Sequence, residues 1–124
     1  MGKLHGVDLF VERGPEVGVI IDNISSIINV DKEHFCSGDS EDVLRILKDA
    51  SPKIWVEYFK TESKTFPLKF DVNAFDKINI EKFVKELAKK LNVRVMIPDE
   101  ESKDINRMIV YHPDGVRSIG RYWG

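Results

Sequence analysis

Apolar residues recur along this chain with two periods, and each change of period marks an element. Residues 7–12 alternate as a first strand, broken by Gly14-Pro15. Val17, Ile20, Ile21, Ile24, Ile27 and Ile28 then fall on one helical stripe, with Pro15 suited to the first helical position. Their β-branched load leaves a competing reading, a hairpin turning at Asp22-Asn23. Residues 31–39 read as a polar connection. Ser40 is a good N-cap for a short helix carrying Val43, Ile46, Leu47 and Ala50, which Ser51-Pro52 stops.

Strand periodicity returns over residues 53–61 and 65–73, a hairpin. The first strand bears Ile54, Val56 and Tyr58 on one face and Trp55 and Phe59 on the other, which suits a strand covered on both sides. Pro67 cannot donate to a ladder, so it belongs at an edge or a non-bonded position. Asn79 caps the clearest helix, whose stripe is Ile80, Phe83, Val84, Leu87, Ala88 and Leu91, with Asn92 as its exit. At the centre of that stripe, Phe83 and Leu87 are expected to be fully buried. A strand over 93–97 ends at Pro98, and a last hairpin joins 107–112 to 116–122 through the type I turn residues Pro113, Asp114 and Gly115. The order is βααββαβββ: an α+β class, a mainly antiparallel sheet with about three helices, in a single domain spanning residues 1–124.

Charge narrows the function. With 19 basic and 21 acidic residues the net charge is −2, and no basic patch stands out, so neither nucleic acid nor an anionic membrane is an expected partner. The longest apolar run, residues 17–21, is too short to cross a membrane, and the first residues lack the apolar core of a signal peptide. One cysteine, Cys36, allows no internal disulfide. The expected location is the cytoplasm.

No residue set demands a cofactor or a metal. His5, His34 and His112 are not at ligand spacing from one another or from Cys36. The glycines Gly115 and Gly120 follow a hairpin turn and open no helix, so they form no phosphate cradle. Acidic residues do cluster. Residues 31–49 hold six acids, among them Asp39, Glu41 and Asp42, against three cations. Asp99, Glu100, Glu101 and Asp104 stand against Lys103 alone. Such runs are most often solvated loops, but they also fit a surface that attracts a basic partner. Trp123 is either an anchor closing the domain or an exposed contact.

The stretches Glu41-Asp42-Val43-Leu44, Ser51-Pro52-Lys53-Ile54-Trp55-Val56-Glu57-Tyr58, Phe66-Pro67-Leu68-Lys69 and Val93-Arg94-Val95-Met96-Ile97-Pro98-Asp99 carry a resemblance. With the helix between the last two and the hairpin at Pro113-Asp114-Gly115, residues 40–124 resemble small bacterial immunity proteins encoded beside toxins. The resemblance implies a non-enzymatic cytoplasmic protein that neutralises a cognate toxin by protein–protein contact. The alternative is a small enzyme or ligand-binding protein with a site assembled on the sheet, where His112, Arg107, Arg117 and Glu57 are the suspects.

Overall fold

The helical reading of the isoleucine-rich segment holds because its stripe has something to bury against. In the structure, a computed structural model that describes residues 5–38, 54–74 and 78–121, helix α1 spans Val17–Ile28 with Ile20 and Ile24 buried. Burial of that stripe outweighs the strand preference of β-branched residues. Asn29 ends the helix in the left-handed region, at φ 54°. Pro15 is not the first helical residue: Glu16 is the extended N-cap, so Pro15 lies outside the helix.

Helix α2, Ile80–Leu91, is built as its pattern demands. The Asn79 side chain accepts from the Lys82 amide, Asn92 closes the helix at φ 56°, and Phe83, Val84, Leu87, Ala88 and Leu91 are buried. Phe83 and Leu87 therefore take the core positions expected of them.

Seven strands among the described residues form one sheet: β1 His5–Val11, β2 Phe35–Ser37, β3 Ile54–Lys60, β4 Leu68–Ala74, β5 Val95–Pro98, β6 Arg107–Tyr111 and β7 Arg117–Arg121. Their spatial order is β2-β3-β4-β1-β5-β6-β7, antiparallel throughout except for the parallel pair β2–β3. The class is α+β and the sheet is mainly antiparallel, but the order βααββαβββ with about three helices needs correcting. Among the described residues there are two α-helices and a 3-10 turn at Lys32–His34. The expected helix over Val43, Ile46, Leu47 and Ala50 lies outside the described residues.

The added strand is β2, in the segment that reads as a polar connection. Asp31 accepts from the Glu33 amide to start the 3-10 turn, which delivers Phe35, Cys36 and Ser37 beside Val56, Glu57 and Tyr58. Three residues are too few to display a period, which is why β2 is silent in the sequence. Gly38, just past it, lies so close to the Phe59 ring that any Cβ would collide with it.

The sheet has two unlike faces. Leu9, Val11, Val56, Phe70, Val72, Val95, Ile97 and Tyr111 meet both helices in the main core. On the opposite face a smaller cluster of Phe10, Phe66, Met96, Met108 and Val110 forms, with Cys36 and Trp55 as a separate buried pair. β3 is accordingly buried on both sides, by Val56 and by Trp55. Pro67 precedes β4, outside the ladder, and its carbonyl accepts from the Thr61 amide at 2.9 Å.

Candidate functional site

The acidic residues 99–104 form the connection from β5 to β6, and that connection is firmly tied. The Asp99 amide donates to the Arg107 carbonyl and the Arg107 amide to the Asp104 carbonyl, at 3.0 and 3.1 Å. Three side-chain turns follow: Glu101 donates to Asp99 Oδ1, Asp104 to Ser102 Oγ, and Asn106 to Asp104 Oδ1. Serine, aspartate and asparagine favour such local bonds, and here they replace a flexible loop by a shaped one.

Two of the four acids are spent internally. Asp99 pairs with Arg107 at 3.1 Å and Asp104 with Arg121 at 2.7 Å, both arginines rising from the strands beside the loop. Glu100 and Glu101 remain exposed. At the end of the loop Ile105 is 91% exposed, the most exposed large apolar residue among those described. Its neighbours in sequence gave no warning, since isolated apolar residues are unremarkable until their burial is known.

A cavity of about 610 Å³ opens beside this loop. Its wall combines Val7, Ile80, Ile97 and Ile109 from the helix side of the sheet with Asp99, Glu100 and Glu101, and Arg117 stands at the rim. A second hollow, between α2 and the β6–β7 turn, is lined by charged groups such as Lys82, Lys85 and Glu86.

Asp39, Glu41, Asp42 and Trp123 lie outside the described residues. The suspects for a site assembled on the sheet do not converge. Arg107 is bound to Asp99, Arg117 lies 4.0 Å from Glu81, and His112 Nε2 is 2.8 Å from Ser118 Oγ. Glu57, opposite Asp71 in the register, points to the other face of the sheet, since it alternates with Val56 of the main core.

That other face carries a polar row that the sequence does not announce. Asp8 of β1 pairs in register with Asp71 of β4, which pairs in turn with Glu57 of β3. Burial, then the hydrogen bond and like charge of Asp8, push the Asp71 carboxyl from 3.8 up to about 7; Lys69 Nζ, 3.4 Å away, offsets only part of this. The signal was present as polar residues on one face of each strand, but only the register brings them together. Among the described residues no group of His, Cys, Asp and Glu is arranged to hold a metal ion.

Comparison of the chain with protein-family models, with curated proteins and with solved structures gives no match.

Proposed function

We propose that this protein acts by binding another protein through the β5–β6 loop, as an immunity-like inhibitor whose partner is a basic toxin domain, and that it works in the cytoplasm. One observation carries the reading: a loop fixed by six local hydrogen bonds and two ion pairs holds Ile105 outward and carries two exposed glutamates. A single exposed apolar residue is common on protein surfaces; here it stands on a shaped loop that also carries exposed acids, which together offer a partner an apolar contact and accelerate its encounter. The resemblance of residues 40–124 to immunity proteins supplies the toxin. No helix among the described residues is long and apolar enough to cross a membrane.

The test begins with a photo-crosslinking residue at position 105 in the native host, which identifies the partner for reconstitution. Glu100→Gln/Glu101→Gln should then slow association and flatten its salt dependence, while Asp99 and Asp104 are left intact because they hold the loop's shape. An unchanged association rate would reduce the loop to a solvated face. Co-expression adds the second arm: the protein should rescue cells from the partner's toxicity.

A second reading, a ligand-binding or catalytic site on the sheet, is favoured by the Asp8–Asp71 pair, because a carboxyl titrating near neutrality can both take and give a proton. Asp71→Asn should abolish any such activity and leave partner binding unchanged.

A further inference from the structure

The cavity beside the loop is walled by apolar residues that the core does not finish covering. Val7, Ile80 and Ile109 are half-buried, and they surround about 610 Å³ of open volume together with Ile97. That volume lies within the range of ordinary binding pockets and exceeds what one side chain fills. Its rim is not neutral. Asp99 is matched by Arg107, and Glu100 and Glu101 outnumber the one cation of the lining, Arg117, which lies 4.0 Å from a Glu81 already paired with Lys85.

We infer that this cavity receives a segment of the protein partner in which apolar side chains stand next to lysine or arginine. The inference rests on the protein-binding reading above and names what that partner must present. The apolar side chains displace water from the wall formed by Val7, Ile80, Ile97 and Ile109, and the neighbouring cation comes to lie against Glu100 and Glu101. Charge complementarity selects the occupant: an acidic peptide would bring like charges together at the mouth, and a purely polar one would leave the apolar wall wet. The cavity mouth and the loop share residues 99–101, so one partner segment can engage both.

The probes are three acetylated, amidated tetrapeptides: Lys-Leu-Phe-Lys, Glu-Leu-Phe-Glu and Lys-Ser-Ser-Lys. Each is titrated into the ¹⁵N-labelled full chain. The first should move the amide signals of Val7, Ile97, Glu100 and Ile109, and the other two should bind at least about tenfold more weakly. Val7→Thr/Ile109→Thr, which put hydroxyls on the apolar wall while keeping β-branched residues in the strands, should bring the first peptide down to the level of the serine peptide. Thermal unfolding confirms that the variant is folded. Equal binding of the three peptides, no shift at millimolar peptide, or shifts confined to the opposite face of the sheet would overturn the inference. The two failures are separable with the crosslinked partner. If Glu100→Gln/Glu101→Gln slows association and Val7→Thr/Ile109→Thr leaves affinity unchanged, the loop binds and the cavity does not. If neither variant has an effect, both readings fall.

Discussion

Asp8 and Asp71 face each other across the β1–β4 ladder, and one of the two carboxyls holds its proton up to near-neutral pH. Because the folded pKa of Asp71 is raised from 3.8 to about 7, the folded state binds more protons than the unfolded chain between those values. Stability therefore falls as pH rises through that window and levels off above it. Asp71→Asn keeps a hydrogen-bonding partner for Asp8 without the like charge. It should melt about 2–4 °C higher than the parent at pH 8, a small shift because the site is only partly buried. Melting curves at pH 5 and pH 8 check this: the difference between parent and variant should shrink at the lower pH.

The opposite sign is expected at Glu12. Arg94 donates to it three times, from its amide at 2.9 Å and from Nε and Nη2 at 3.1 and 2.7 Å, and the arginine also lies over the Phe66 ring. The side-chain hydrogen bond from Arg94 lowers the Glu12 pKa below 4.5, so its contribution is present above 4.5 and is lost as pH falls through the folded value. Arg94→Lys loses the forked geometry and should cost about 0.5–1 kcal/mol. A double-mutant cycle with Glu12→Gln, read from urea unfolding at pH 7, isolates the pair.

Leu87 is fully buried beneath α2. Leu87→Ala should destabilise by about 2–5 kcal/mol, since it leaves a cavity in a site packed on all sides. A loss well below 1 kcal/mol by denaturant unfolding would contradict the packing of α2 on the sheet.

Asn29 and Asn92 end the two helices with φ of 54° and 56°. Asn92→Gly should be neutral or slightly stabilising, whereas Asn92→Ala should cost about 1 kcal/mol, the strain of a Cβ in the left-handed region. The comparison of the two variants matters more than either value.

The fold should need neither metal nor disulfide. Cys36, the one cysteine of the chain, is buried, and unfolding in chelator and reductant should coincide with the untreated curve.

What the sequence disclosed follows from where its information is local. Helix α2 is legible because it carries a three-turn stripe between Asn79 and Asn92, whereas α1 carries the same stripe but its isoleucines leave a hairpin open as well. The β3–β4 hairpin is legible from its alternating runs, and β6–β7 from the turn residues Pro113, Asp114 and Gly115 between its own. β2 escapes notice because three residues show no period and its partner strand lies 21 positions away: Cys36 pairs with Glu57. The acidic loop is visible as composition, but its internal division is not. Nothing in the run from Asp99 to Asp104 says that Arg107 and Arg121 will neutralise its two ends and leave its middle free. The Asp8–Asp71 row is invisible for the same reason, being a product of register between segments far apart in the chain.

The central place of β1 has a consequence for how the chain reaches this state during synthesis. β1 leaves the ribosome before the strands on either side of it, yet Leu9 pairs with Phe70 and Phe10 with Met96. Until those partners emerge, a run of large apolar residues waits with both edges open, and neither half of the sheet can close without it. Of the seven described strands the earliest made is thus paired on both edges only once β5 has followed.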